Sequence, residues 1–447
     1  MAVYNIFASA DATLYSLYPV KNTGRDPILE VSVKNSQDGT RFLGRSPITE
    51  NPYYNYDLAA AGNFSNSEAY FPGYDIRRSV LQFSDQDINL LQSFANQSIS
   101  GAYQANLQLF LASAQNLSTT YSLDILPLSQ SWCMGTGQFA QVPQSVNGVS
   151  WVYTCASASS EPWVEDGFTW GNIDLPKWES ASLDWNYEPT PGNPYYITGG
   201  GSWNNIPATQ SFGYMSNKDV NADITDIMTG WFSGSIPNNG LLVKHPQAIE
   251  ENPNSYIDLK YFSVDTHTIY PPTIQFKWDD SYFYPQSFNY VLSDQITITL
   301  ANNPGQFPQG DSYKMRLSTR LTYPPRKFTT SSVYLTDMIL SKNTLWGLQD
   351  IKTGEMVVDF DDPYTRVSCD SVGNYFNLHT SGLEINRFYR VLIKTKIYST
   401  TFGPLSVYNS LESMYDAMSI YSSDELDLLP AEVVTYSGQN LTFKIIA

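Results

Sequence analysis

Cysteine, histidine and basic residues are all scarce in this chain. Only three cysteines, Cys133, Cys155 and Cys369, occur in 447 residues. An odd count with no close pair excludes a metal knuckle and a dense disulfide framework. The reading is three free thiols, with a Cys133–Cys155 bridge as the alternative. The three histidines, His245, His267 and His379, share no ligand spacing with one another or with a cysteine, which argues against a zinc site. Charged residues make up 15% of the chain, below the usual quarter. Lys and Arg number 25 against 43 Asp and Glu, a net charge of −18. That balance disfavours nucleic-acid phosphates and anionic membranes as partners. No apolar run approaches a membrane span. The N-terminus lacks the basic-then-apolar pattern of a secretory signal, so the expectation is synthesis in a cytoplasm without export by the usual route. No G-x-S-x-G elbow or Walker loop is present. Asp219, Asp223 and Asp226 fit no EF-hand spacing. Asp279-Asp280 and Asp361-Asp362 read as solvated turn residues rather than a glycosidase pair. No catalytic residue, metal or cofactor is therefore expected.

What the chain does have is apolar and aromatic substance. Hydrophobic residues are 42% and aromatics 14%, with 32 Tyr. This suits β-structure and adhesive assembly surfaces. Short alternating runs recur along the chain: 11–15, 28–33, 77–83 with Val80 and Phe83 inward, 105–111 and 121–126. Asp85 to Phe94 reads as a helical turn. After a linker over 279–287, new strands are expected at 295–300, 313–320, 332–335, 344–348, 375–378, 388–397 and 441–446. The length predicts two to three domains. The pattern predicts an all-β chain: a β-sandwich over 1–278 and a second one, of Ig-like size, over 279–447.

Residues 218–278 organise the first half. Ile224, Ile227, Met228 and Trp231 share one face of a short helix. Asp223 is placed to cap it, Asp226 suits its positive end, and Gly230 with Gly234 and Pro237 is expected to end it. Asn238-Asn239-Gly240 is a turn signal leading into the apolar run Leu241-Leu242-Val243.

Three segments stand apart. Residues 35–75 form a long polar excursion. Asn409 to Leu429 is an acidic insertion in the second domain. Residues 129–215 hold Trp132, Trp151, Trp163, Trp170, Trp178, Trp185 and Trp203, seven of the ten tryptophans. A loop this long is functional or packed against something. Three readings are open for it: a cap on one end of the sandwich, a protein-binding surface built on aromatic hot spots, or a sugar-stacking platform.

The N-terminal 275 residues resemble the DNRLRE-type β-sandwich, a jelly-roll module related to carbohydrate-binding modules. Asp11-Ala-Thr, Asn22, Arg78 to Phe83, Ala105 to Leu109, Trp163 to Asn172, Asp223 to Trp231 and Asn238 to Lys244 carry the likeness, in that family's order. Ser131 to Phe139, Asn147 to Tyr153, Gly199 to Trp203, Asp265 to Pro272 and the C-terminal segments from Ser371 and Tyr389 resemble virion structural proteins of tailed, T4-like marine bacteriophages. The resemblance implies a jelly-roll-type sandwich followed by an Ig-like one, in a non-enzymatic component of the virion. Its partners would be other virion proteins of the tail, baseplate, neck or fibre attachment, met in multiple copies. The alternative is a module contacting a host-surface glycan. In either case the contacting side chains would be Trp151, Trp163, Trp170, Trp178, Trp185 and Trp203. Asp223, Trp231, Asn239 and Gly240 would be structural.

Overall fold

A computed structural model describes residues 2–34, 75–155, 161–162, 207–284, 289–290, 296–323, 338–397 and 432–447, apart from a few single positions within these ranges. The excursion over 35–75 lies outside the described residues but for Asp75, and the Asn409–Leu429 insertion and the expected strand at 332–335 lie wholly outside them. The protein is all-β, and among the described residues only three helices occur.

Chain contacts divide it into two compact units. One comprises Ile6–Gln92 and Gln104–Gln275. The other comprises Met1–Asn5, Ser93–Tyr103 and Phe276–Ala447. The second division point falls within a few residues of the expected 278/279 boundary. The N-terminal five residues and the 93–103 segment are the departure. Val3 explains the first: it is 7% exposed and shares a core cluster with Ile298, Leu348 and Phe443. No local pattern announces a contact between residues so far apart in sequence.

The first fourteen strands are β1 (Ala2–Phe7), β2 (Ala10–Tyr15), β3 (Ile28–Lys34), β4 (Ile76–Gln82), β5 (Tyr103–Leu109), β6 (Leu111–Gln115), β7 (Tyr121–Pro127), β8 (Tyr153–Cys155), β9 (Glu161–Pro162), β10 (Ala208–Phe212), β11 (Val220–Asp223), β12 (Leu241–Lys244), β13 (Tyr256–Phe262) and β14 (Thr273–Trp278). An eight-stranded sheet runs β10-β7-β12-β4-β3-β13-β6, with β2 also on β4. A four-stranded sheet runs β1-β14-β5-β11, and β8 pairs with β9. β12 is the short apolar run Leu241-Leu242-Val243. All three side chains are buried, on both faces of the sheet, and β7 and β4 pair its backbone on both edges. Helix α1 (Asp85–Gln97) is longer than the turn expected at Asp85 to Phe94. Its start is a reciprocal cap: the Asp87 N–H donates to Ser84 Oγ at 3.1 Å, and Ser84 Oγ donates to the Asp87 carboxylate at 2.7 Å. Helix α2 (Thr225–Ser233) carries the expected apolar face, and the single turn α3 spans Gln247–Glu250.

The C-terminal unit adds β15 (Asn289–Tyr290), β16 (Ile296–Ala301), β17 (Gln306–Pro308), β18 (Ser312–Leu321), β19 (Met338–Ile339), β20 (Leu345–Asp350), β21 (Met356–Val358), β22 (Ser368–Asp370), β23 (Gly373–His379), β24 (Phe388–Ile397), β25 (Glu432–Tyr436) and β26 (Thr442–Ile446). One sheet runs β15-β19-β18-β23-β22 with β16 on β18, the other β17-β26-β24-β20-β21 with β25 on β24. Alternation along β18 buries Met315, Leu317 and Thr319 and turns Lys314 and Arg316 outward. The 279–287 linker is corrected by pairing at its centre: the Cys369 N–H donates to Tyr282 O at 2.7 Å, and the Tyr284 N–H to Cys369 O at 2.9 Å. Residues 282–284 thus lie along β22 as an edge.

The aspartate pairs, expected as solvated turn residues, divide: Asp362 is an exposed turn residue, whereas Asp279 is buried and Asp280 and Asp361 partly so. Asp279 is 7% exposed and accepts from the Ser281 N–H and hydroxyl. Asp361 takes the buried Lys277 at 2.6 Å, and Asp362 takes Arg366 at 2.6 Å.

Candidate interaction site at the stem of the tryptophan-rich segment

Two stretches far apart in sequence build the stem. Residues 22–26 follow β2, and residues 131–155 lead from the end of β7 to β8. Asn22 joins them from a fully buried position. Its amide nitrogen donates to Met134 O at 2.7 Å and Val149 O at 2.9 Å. Its amide oxygen accepts from the Gly137 N–H at 2.7 Å and the Gly24 N–H at 3.4 Å. Both donors and both lone pairs of the amide are therefore used, which only Asn could do at this length of side chain. Gly135 and Gly148 make room for it: a Cβ at either would sit 2.7 Å or less from Asn22 or the facing backbone. Residues 22–26 and 137–139 are further zipped by Arg25 N–H to Gly137 O at 2.9 Å and Phe139 N–H to the Asp26 carboxylate at 3.0 Å.

Cys133 and Cys155 form a disulfide, with Cα atoms 5.2 Å apart. This corrects the expectation of three free thiols. Spacing alone could not decide it, because the two cysteines meet only after the chain folds back: Val149 N–H donates to Cys133 O at 2.7 Å, and Cys133 N–H to Thr154 O at 3.2 Å. Cys369 remains a free, buried thiol.

Trp151 is corrected as a contact residue. It is 4% exposed and packs with Leu14, Val80, Leu128, Val149 and Leu242 in one core cluster. Trp132 packs against that cluster and donates its indole N–H to Asn239 O at 3.0 Å. Trp163, Trp170, Trp178, Trp185 and Trp203 lie outside the described residues, between β9 and β10. The structure thus shows the root of the segment, held by Asn22, a disulfide and two indoles.

Of the residues read as structural, Asn239 and Gly240 touch the start of the stem, while Asp223 precedes α2 and Trp231 lies in it. Asp223 lies one position before the helix boundary, where Ile224 is the N-cap residue and makes no side-chain cap. It nevertheless accepts from the first helical amide, Thr225 N–H, at 2.9 Å. Trp231 is 7% exposed on the buried face of α2 with Ile227 and Met228. Gly230 does not end the helix; it lies inside it, where its missing side chain admits Ile236, and the left-handed residue Gly234 ends it. Asn239 donates its side-chain amide to Leu128 O at 3.4 Å. Gly240 has φ +95°, and any Cβ there would lie 2.1 Å from Leu81 O. Its own carbonyl accepts from the Leu128 N–H at 2.9 Å, at the start of the stem.

The pair Arg77-Arg78, read as no more than a strand start, proves to be the electrostatic centre of the N-terminal unit. Successive strand residues face opposite ways. Arg77 turns to Asp75 at 2.6 Å and to Glu30, which Lys260 also meets at 3.2 Å, and it lies over the Tyr15 ring. Arg78 turns to the stem. Its guanidinium bonds both oxygens of Glu250, at 3.1 and 2.7 Å, and lies 4.9 Å over the Trp151 ring.

Burial shifts several further titratable groups. Burial pushes Asp11 up to about 7, while its carboxylate accepts from Ser263 Oγ and the Val264 N–H. Burial raises Asp26 to about 6, despite the Phe139 amide. Burial lowers His245, whose ring is sealed in the core, and takes His379 down to about 4 among Tyr4, Phe94 and Trp278. It lifts the Cys369 thiol to about 11. Among the described residues no three His, Cys, Asp or Glu gather as metal ligands, and no helix is long and apolar enough to cross a membrane. The arrangement is suited to holding a segment in place. No family model matches the chain, and no curated protein or solved structure matches it either.

Proposed function

We propose that this chain is a non-enzymatic structural component of a tailed-bacteriophage virion, mediating protein–protein assembly in the tail, baseplate, neck or fibre-attachment region. In this reading the N-terminal unit is a jelly-roll-type sandwich and the C-terminal unit an Ig-like one. The observation that carries it is the braced stem. Asn22, the Cys133–Cys155 bridge and the buried Trp151 fix the root of a segment whose sequence brings five further tryptophans. A root fixed in advance lowers the ordering cost of an interface, and tryptophans are the commonest interface hot spots. The ionised groups around the stem are spent on internal pairs, which is consistent with a part that is built in once and kept.

Mass spectrometry of purified particles from an infection that produces this protein is the direct test. The chain is expected among the particle proteins in multiple copies, and its absence would sink the proposal. Within the particle, the rings at 163, 170, 178, 185 and 203 are expected to be shielded from oxidative footprinting. Rings that stay fully labelled would move the tryptophans to the alternative role, contact with a host-surface glycan.

A further inference from the structure

The outward face of the C-terminal unit carries a row of side chains for which assembly of the core gives no reason. The register sets it across the strands. Arg316 on β18 lies opposite Tyr375 on β23, and Tyr375 lies opposite Ser368 on β22. Ser368 is itself buried, and beyond β22 the Tyr282 N–H donates to Ser368 Oγ at 3.2 Å, which places Tyr282 at the next strand position across the sheet. Tyr282 and Tyr284 are 50% and 57% exposed, with ring centroids 6.4 Å apart. Such exposure is unusual for two large rings side by side on an edge, since each could have been buried at a gain of about 2 kcal/mol.

The polar members are fixed in advance. Asp370 accepts from Lys314 Nζ at 2.8 Å and from two Arg316 nitrogens at 3.0 and 2.9 Å. Lys314 Nζ also lies 3.6 Å over the Tyr375 ring. On the other side of β18, Lys314 and Arg316 form part of the wall of a 520 Å³ cavity with Ala301, Asn303, Gln306 and Tyr313. That volume is in the range of small-molecule sites. Lys314 and Arg316 line it and no carboxylate does; the two cations share the single carboxylate Asp370, which leaves one positive charge in excess there, in a chain of net charge −18. The next carboxylate on this face, Asp280, is engaged by Asn377 at 2.7 Å.

We propose that this row and the adjoining cavity bind an acidic saccharide chain running across the strands. The Tyr282 and Tyr284 rings, half exposed, offer flat faces to the C–H surfaces of pyranose rings, while the partly buried Tyr375 ring carries Lys314 Nζ. The preset Arg316–Asp370 plane offers donors and acceptors to hydroxyls, and Lys314 with Arg316 meets the sugar carboxylate. A protein interface core would instead need contiguous apolar area, and here two rings adjoin a charged cluster. The site is independent of the tryptophan-rich segment and does not rest on the assembly reading.

The test is binding of the full chain to an array of bacterial capsular and O-antigen polysaccharides, acidic and neutral, followed by affinity electrophoresis on each hit. Wild type is expected to bind acidic polysaccharides in preference to neutral ones. Y282A/Y284A should weaken binding at least tenfold with only a small fall in the melting temperature, because about half of each ring is exposed. Y282F/Y284F, which keeps the rings, should stay within about twofold. An array with no hit overturns the proposal. So does binding confined to neutral glycans, binding indifferent to Y282A/Y284A, or a Y282A/Y284A variant that instead loses a protein neighbour in the particle.

Discussion

Two sites in this protein use the same three kinds of group, a cation, a carboxylate and an aromatic ring, and use them differently. In the N-terminal unit, Arg78, Glu250 and Trp151 are closed off: the side chains of the ion pair are 5% and 1% exposed and the indole 4%. In the C-terminal unit, Lys314 and Arg316 meet Asp370 beside Tyr375 with 43%, 28% and 21% of the charged side chains exposed. Solvent decides what each set can do. Water around the second screens the pair, so a ligand can meet its groups without stranding a buried charge. Its absence around the first makes the partners obligatory, because an unpaired charge there has nowhere to find compensation. The first set therefore positions the stem, and the second is available to a ligand.

The sharpest way to break this comparison is to remove one partner of the buried set. Arg78→Met keeps much of the apolar stem of the side chain and leaves the Glu250 carboxylate alone in the core. The expected cost is about 3–5 kcal/mol, read by urea unfolding of the full chain. Loss of amide-exchange protection should begin in β4 and β12. A cost under about 1 kcal/mol would mean that the closed and open sets are energetically alike and that the contrast drawn here is wrong.

The next largest effect should come from the staple. Cys133 and Cys155 are 22 residues apart, and closing a loop of that length is worth about 3 kcal/mol in the chain-entropy account. C133S/C155S should lower the stability of the N-terminal unit by about that amount. A thiol reductant should destabilise wild type toward the variant and leave the variant itself unmoved. The C-terminal unit, whose thiol Cys369 is free, supplies the internal control: its exchange protection should not change in either experiment.

How much of this was legible follows from the range of each interaction. Period-two alternation is local, so β18 and β24 could be read directly, as could β4 and β12 from their short apolar runs and the buried face of α2 from Ile227, Met228 and Trp231. The all-β class followed from that. The capped helix α1 was legible only in part: Ser84 and Asp87 stand at capping-box spacing, but the apolar periodicity beyond them is weak. Asn22 left a faint trace in the Gly135-Thr136-Gly137 and Asn147-Gly148 runs, residues chosen for close approach to something then unknown. The disulfide was legible only as an alternative to three free thiols, and the Arg78–Glu250 pair and the placement of Val3 left no trace. Each joins residues brought together only by sheet order, and sheet order is not written in any window of the sequence. The same limit misread Trp151. A tryptophan in a Gly- and Ser-rich stretch looks exposed until the stretch is seen to fold back over β12. The row Tyr282–Tyr375–Arg316 was hidden for the same reason, its members coming from three separate places in the chain.

The smallest expected effect sharpens the comparison by sign rather than size. The hydrogen bonds from Arg316, then those from Lys314 and the Val372 amide, hold Asp370 well below the ordinary carboxylate range, although burial opposes them. A depressed folded-state value means stability that is present above the unfolded value near 4 and is lost as pH falls below it. Because the pair faces water, Asp370→Asn should cost at most about 1 kcal/mol at pH 7, and nothing once the carboxylate is protonated in both states. Asp11 in the N-terminal unit works the other way. Burial raises it to about 7, so the folded state binds its proton more tightly than the unfolded chain. That contribution is fully present below the unfolded value and is lost as pH rises toward 7. Unit-resolved amide exchange from pH 3 to 8 should therefore show the C-terminal unit losing a little stability toward acid through Asp370, and the N-terminal unit losing stability toward neutral pH through Asp11. D11N should flatten the second slope and leave the first untouched. If both slopes had the same sign, or if D370N moved the C-terminal unit by several kcal/mol, the open pair would be a structural element, and the case for a ligand at that face would lose its footing.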